Sequence, residues 1–399
     1  MLTTIAAVIY GFLGVLGYPS RGIEWVHLQP LQYVLLLLTL LCMGASGLAY
    51  FLDLFRVPPT VLVIGALVLS YGVLDTDHDY PVLERQPAAP LSTPLNAAGA
   101  FRAWCESHPP ATHPVPIFVT ASGGGITAAL WTARVLQGLQ EAAGPHDRRV
   151  AESIVLLSTV SGGSVGAMHF LDGFEAGVAP DLARAREAVE AAGRNSLAAA
   201  VWGLLYPDLL RSTFVPFLSN TFDRGWALEE RWRLALAHPD ATLGGLAAEV
   251  ARGRLPVFVF NATLVESGER LLLSPLSAMK RGGPSAVHEF LQLYPSADLS
   301  LVTAARLSAS FPYVSPLARP ARVAEGEERF HVGDGGYFDN DGVVTALEFL
   351  EETPEILAEH GRTRAVLLQI RAFPSEFDPL PGNGPPGGHG SRPCAHVAG

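Results

Sequence analysis

Lysine is almost missing from this chain: Lys280 is the single one, and arginine supplies the remaining positive charge. Charged residues of both signs make up only 16% of the 399 residues, where a soluble domain carries roughly 25%. With 49% hydrophobic residues and a mean hydropathy of +0.27, that shortage excludes a disordered or fibrous protein and points to a membrane. Cysteine is scarce too. Cys42, Cys105 and Cys394 are too few for a disulfide framework, and their spacing fits no zinc site. The charge that remains is acidic, with a formal net of −11. Arg21, Glu24, Asp53 and Arg56 cancel one another near the N-terminus, so the whole excess lies beyond residue 74. Such a chain is a poor ligand for nucleic acid, whose phosphates demand neutralisation. Charge does not draw it to anionic lipid either.

Long uncharged runs are present, and all lie at the N-terminus. Residues 1–20, 25–52 and 57–74 carry no charge, and each reaches the ~18 residues of a membrane-crossing helix. Residues 1–75 are therefore expected to hold three transmembrane helices, with candidate spans at 2–18, 31–51 and 57–74. Residues 76–112, rich in Pro and Ala, read as a linker. Residues 113–372 alternate strand-like and helix-like segments, the pattern of an α/β domain with a mostly parallel sheet. Strands are expected at Val115–Thr120, Ile154–Val160, Leu255–Leu264 and Ala365–Ile370. Helices are expected at Ile126–Ala142, Asp181–Ala191, Leu299–Ser308 and Gly342–Glu352. Residues 373–399 read as a disordered tail, since 11 of the last 21 residues are Gly or Pro. The apolar segment Ser196–Leu218 is broken by Pro207, Asp208, Arg211 and Pro216 and cannot span a bilayer. It fits a buried helix pair, or a lid or interfacial patch formed by Trp202, Leu204, Leu205, Tyr206, Phe214 and Phe217.

Three glycine-bearing sites follow strand-like segments. The first is Gly123-Gly124-Gly125, between a strand and a helix, whose N–H groups and helix terminus suit a phosphate or an oxyanion. Gly123, Gly125 and Ala128 also fit a dinucleotide fingerprint, but the next strand ends without the acid that fingerprint requires. The second is Thr159-Val160-Ser161-Gly162-Gly163-Ser164-Val165-Gly166. Ser164 has the literal G-x-S-x-G. Ser161 stands where the strand ends, the place of a nucleophile elbow, with Gly163 as its small neighbour. Position favours Ser161. The third is Asp334-Gly335-Gly336, an acid at a strand end. Asp334, Asp339 and Asp341 do not make an EF-hand, because the twelfth position holds Thr345; no metal is expected.

Together these sites resemble the patatin-like phospholipase family, over about Pro116 to Phe373. Arg306-Leu307-Ser308-Ala309-Ser310-Phe311-Pro312 is similar to that family's segment before its acid. The resemblance implies a three-layer αβα domain and a serine–aspartate dyad. Ser161 would be nucleophile, Asp334 base, and Gly123, Gly124 and Gly125 the oxyanion hole, with Gly163, Gly335 and Gly336 supporting the turns. It implies hydrolysis of a lipid carboxylic ester through an acyl-enzyme, with no cofactor. Two departures stand out: Thr159 replaces the glycine that opens the nucleophile motif, and Thr127 replaces an arginine after the glycine nest. The expected partner is membrane lipid, for a multi-pass protein of a bacterial inner membrane. Two other readings stay open: an α/β-hydrolase triad of Ser161 or Ser164 with Asp334 and His360, and a non-catalytic, membrane-tethered lipid-binding or scaffold protein.

Overall fold

The computed structural model describes residues 2–19, 29–72, 77–85, 95–112, 115–144, 147–213, 219–276 and 287–373. The Gly- and Pro-rich tail beyond 373 lies outside them, as do Phe214 and Phe217. Each uncharged N-terminal run forms a helix: α1 (Leu2–Leu16), α2 (Pro30–Asp53) and α3 (Pro59–Gly72). The expectation of three spans is corrected here. Among the described residues, at ~1.5 Å per residue, the 15 residues of α1 and the 14 of α3 reach only about 22 Å, short of a hydrocarbon core of ~30 Å. Pro19 follows α1 closely, and Pro58 stands just before α3, whose first residue is Pro59. Among the described residues, α2 alone is long and apolar enough to cross a membrane, so a multi-pass protein is not supported.

The linker expectation also changes. Helix α4 (Ala97–Ser107) buries Ala97, Ala100, Phe101, Trp104 and Cys105 in the main core. That spacing is the i, i+3, i+4, i+7, i+8 stripe of a helix packed on a core.

The α/β expectation holds. Among the described residues, seven strands form one sheet: β1 (Ile117–Ala121), β2 (Ile154–Val160), β3 (Val257–Leu264), β4 (Arg270–Leu273), β5 (Val287–Glu289), β6 (Val332–Asp334) and β7 (Val366–Ile370). The order is β7-β1-β2-β3-β4-β5, with β6 also against β3. β7, β1, β2 and β3 run parallel, whereas β4 and β6 run antiparallel to β3. Every residue of β2 and β3 is buried, as expected of central strands covered on both faces. The helices needed below are α5 (Gly125–Ala143), α6 (Gly162–Asp172), α7 (Leu197–Gly203), α8 (Arg224–Arg233), α9 (Leu301–Ser308) and α10 (Val343–Glu351). Neighbouring β2 residues reveal the two faces of the sheet. Ser158 Oγ donates to the carbonyl of Gly342, at the start of α10 (2.6 Å), while Thr159 Oγ1 meets Ser164 on α6 (3.0 Å).

Within the segment from Ser196, Leu197 and Leu204 are exposed, but the aromatic residues are not a free patch. Trp202, Leu205 and Tyr206 are buried against α1 and α2, in an aromatic cluster with Tyr33 and Ala227. Tyr10 stacks on Tyr206 with ring centroids 4.6 Å apart. Leu204–Asp208 is a π-helical turn containing Pro207. Tyr10 donates its hydroxyl to the Leu205 carbonyl there (2.6 Å), and Trp202 Nε1 donates to the Gly14 carbonyl (3.1 Å).

Candidate active site

Strand register brings Ser161 and Asp334 together from distant parts of the chain. On one edge of β3, Val160 lies opposite Asn261 and Asp334 lies opposite Ala262, the next residue. β2 and β6 thus meet end to end, and Ser161 is the first residue past β2.

Ser161 has φ 51° and ψ −123°. A non-glycine residue there costs ~1–3 kcal/mol and persists only where its surroundings over-determine it. Those surroundings are a chain of hydroxyls. Ser308 Oγ donates to the Asn261 carbonyl (2.6 Å) and has no second proton, so it accepts from Ser161 N–H (3.1 Å) and from Ser164 Oγ (2.8 Å). Ser164 in turn accepts from Thr159 Oγ1 (3.0 Å). Ser164 is fully buried and its hydroxyl is committed. Thr159, the departure from the glycine motif, opens this chain. Ser308 is a contributor the sequence reading missed.

The glycine nest divides in two. Gly123 N–H donates to the Asn340 carbonyl (2.9 Å) and is spent. Gly124 (φ 145°) and Gly125 (φ 63°) make no N–H hydrogen bond to the described residues, and they open the 19-residue α5. Gly162 N–H, first in α6, is likewise unspent. The residue after an elbow serine is a common oxyanion donor, a signal the sequence analysis passed over. A Cβ built on Gly163 would lie 2.7 Å from the Ala121 carbonyl oxygen, and one on Gly335 would lie 2.2 Å from that of Asn261. Only glycine permits these approaches.

Asp334 is buried, and its Oδ1 accepts from Gly336 N–H (2.8 Å). Its Oδ2 has no hydrogen bond of regular geometry. Burial raises the pKa of this carboxyl above the usual range, and the nearby Ser161 hydroxyl and Gly336 N–H oppose the rise. Ser161, Asp334, Gly123, Gly124, Gly125, Gly162 and Asn340 all line one cavity of about 530 Å³. Its remaining walls are mostly apolar, with Ile126, Val165, Leu197, Leu228, Trp232 and Phe311.

Other candidates lie elsewhere. His360 Nδ1 bonds the Ile356 carbonyl (2.9 Å), shortly before β7 begins beside Ile117, so it sits at the starting ends of the parallel strands, opposite the end that carries Ser161. It cannot complete a triad with Ser161. His169 is buried on α6 and does not line the cavity; burial pushes its pKa down to about 4. The Asp339 carboxylate accepts from Asp341 N–H (3.0 Å) and Val344 N–H (2.9 Å), capping α10. Thr345 donates to Asn261 Oδ1 (2.6 Å).

Comparison with protein-family models and with curated proteins finds no match. Solved structures similar to this chain include the following two. VipD from Legionella pneumophila matches at 12% identity with a TM-score of 0.30, over 57% of this chain and 46% of that one. Human GIVD cytosolic phospholipase A2 matches at 13% identity with a TM-score of 0.39, over 67% and 52%. The chain thus spans about half the length of each. Likenesses this distant bear no weight; what the site can do follows from its own geometry.

Proposed function

We propose that this chain is a lipid acyl hydrolase of the patatin-like kind, cleaving carboxylic esters with Ser161 and Asp334. One observation carries the reading: Ser161 is held in a strained elbow inside an apolar cavity, beside a buried carboxyl and unspent backbone N–H groups. A serine needs an adjacent base to become a nucleophile. Asp334 Oδ2 is the free oxygen for that task, and its raised pKa makes it the stronger base.

The reaction follows from these groups. Ser161 Oγ bonds to the ester carbonyl carbon as its proton passes to Asp334 Oδ2. The carbonyl oxygen becomes an oxyanion facing the N–H groups of Gly124, Gly125 and Gly162. Each such donor is worth roughly 2.7–4 kcal/mol in comparable sites. The ester C–O bond breaks, and the leaving alcohol takes the proton back from Asp334. Water then attacks the acyl-enzyme with Asp334 as base, releasing the acid and restoring Ser161. Gly123 supports the site by tying the nest to Asn340. The acyl chain occupies the apolar walls, and α2 supplies a single membrane anchor.

A fluorophosphonate probe should label the wild-type chain at Ser161 and should not label Ser161→Ala. Lipid hydrolysis should disappear in the same variant. Labelling that persists in Ser161→Ala sinks this assignment, and absence of any labelling returns the chain to the non-catalytic reading.

A further inference from the structure

We infer that the apolar rim of the cavity rests on a lipid bilayer, so that an acyl chain passes from the bilayer along α7 to Ser161. The last step rests on the acyl-hydrolase reading above; the surface itself does not.

The length of α2 sets the level of the bilayer. Its 24 residues span about 36 Å, and a crossing takes ~20 of them. A crossing that ends near Leu52 begins near Tyr33. Tyr33, Leu36 and Leu37 are the residues with which α2 packs on Trp202 and Tyr206. So α2 cannot cross a bilayer without drawing α7 to the headgroup level.

Helix α7 links that contact to the cavity. Leu197, at its start, lines the cavity, and Leu204 follows its end beside the α1 contact. The two are seven residues apart, about two turns or ~10 Å, and so share a face. Both are more than a third exposed. Around the mouth, Phe311, Tyr337 and Phe373 are each more than half exposed, although they line the same cavity. Contiguous exposed apolar surface of this kind marks an interaction site. Its continuity with a membrane-length helix identifies the partner as lipid. The acidic chain gains no docking from charge, so apolar contact has to supply it.

The full chain, with Cys42, Cys105 and Cys394 replaced by alanine, would be reconstituted in phosphatidylcholine vesicles. An environment-sensitive fluorophore would be placed at Leu204→Cys, at Phe311→Cys, and at the exposed Glu355→Cys in the helix Pro354–Glu359, which precedes β7 and does not line the cavity. Brominated acyl chains should quench the first two at least about fivefold more than the third, because only those two lie in the interface. Leu204→Glu, which leaves the cavity lining untouched, should slow hydrolysis of vesicle lipid about tenfold and spare a soluble short-chain ester. Quenching at Leu204 and Phe311 no greater than at Glu355 overturns the inference. That holds whether those labels sit in water or are shielded by a second copy of the chain. Equal losses on vesicle and soluble ester also overturn it. If the labels are quenched but Ser161→Ala still hydrolyses lipid, the surface stands and the nucleophile assignment falls.

Discussion

Replacing Gly162 by alanine tests how closely the nest and the elbow are fitted to each other. A Cβ built on Gly162 lies 2.0 Å from the carbonyl oxygen of Gly125 and 2.9 Å from its carbonyl carbon and nitrogen. Ordinary contact needs ~3.5 Å, so roughly 1.5 Å must be found by movement. The opposing atoms are backbone, held by α5 on one side and α6 on the other, and no flexible side chain can yield. The nest and Ser161 must therefore separate by on the order of 1 Å. Oxyanion donors work at about 2.7–3.1 Å, and losing one lowers kcat by ~10²–10³. Misplacement by ~1 Å alone can cost about 10²-fold. The expected result is a fall of at least ~100-fold in turnover of a soluble short-chain ester, with fluorophosphonate labelling slowed to match. Gly138→Ala, within α5 on the other side of that contact, is the control. Its Cβ meets nothing within 4 Å, so it should stabilise the fold by about 0.5–1 kcal/mol and leave turnover unchanged. A folded Gly162→Ala protein within about threefold of wild-type turnover would refute the reasoning.

Ser164→Ala should lower stability by about 1–3 kcal/mol, by breaking the buried hydroxyl chain, yet keep most turnover; a complete loss would mean that the wrong serine has been named. Asp334→Asn should abolish turnover without lowering the melting temperature. Burial raises the Asp334 pKa in the folded state, so the folded protein binds that proton more tightly than the unfolded chain, and stability falls as pH rises. A neutral amide removes that cost, whereas a drop in melting temperature would contradict it. For the same reason the acid limb of kcat/KM should lie above the ordinary carboxylate pKa and be absent from any residual Asp334→Asn activity. His169 has the opposite linkage: its pKa falls from 6.5 to about 4 on folding. Stability should hold above pH 6.5 and decline as pH drops toward 4, by about 3 kcal/mol in all. Urea midpoints measured across that range should show a flatter slope in His169→Leu.

Local pattern made much of the domain legible. Ile154–Val160 reads as a strand because an unbroken apolar run ends at Ser161, and the structure gives those same bounds. The helix expected at Ile126–Ala142 forms as Gly125–Ala143, bounded by Gly124 and Gly144. Short strands were harder. β4 and β5 have four and three residues, too few for a period to emerge. β6 lies at the end of the strand-like Arg329–Val332 that precedes Asp334. Its placement beyond the end of β2 depends on pairing with β3, a tertiary fact without local signature. The same limit applies to the site. Strand-end position separates Ser161 from Ser164, but the hydroxyl chain from Thr159 through Ser308 appears only when α9 is packed against α6. Helix α4 is a different case. Its stripe at Ala97, Phe101 and Trp104 was present in the sequence and was masked by the prolines around it.

Hydropathy counts apolar length but does not name what the apolar side chains will touch. At the N-terminus that distinction decides the topology. A helix facing lipid needs apolar side chains all round and about 30 Å of length. A helix docked on protein needs an apolar face and partners for its polar atoms. On the side facing the domain helix α1 shows the second pattern, while Val8, Phe12 and Val15 stay more than half exposed on its other side. Tyr10 satisfies the Leu205 carbonyl in the π-helical turn, Tyr206 donates back to the Tyr10 carbonyl (3.1 Å), and Trp202 caps Gly14. Gly14 leaves space for the Tyr206 ring, which a built Cβ would approach to 2.6 Å. Helix α2 shows the first pattern over most of its length, with Leu35, Leu38 and Leu41 at least half exposed. One helix packs on the α/β domain, the next has the length and composition of a membrane-crossing helix, and Tyr33 lies where that helix meets the domain. A bulky residue at Gly14 should therefore release α1 from Trp202, read as a red shift in tryptophan emission, while α2 keeps the chain in the vesicle fraction. Loss of the chain from that fraction would show that α1, and not α2, holds it to the membrane.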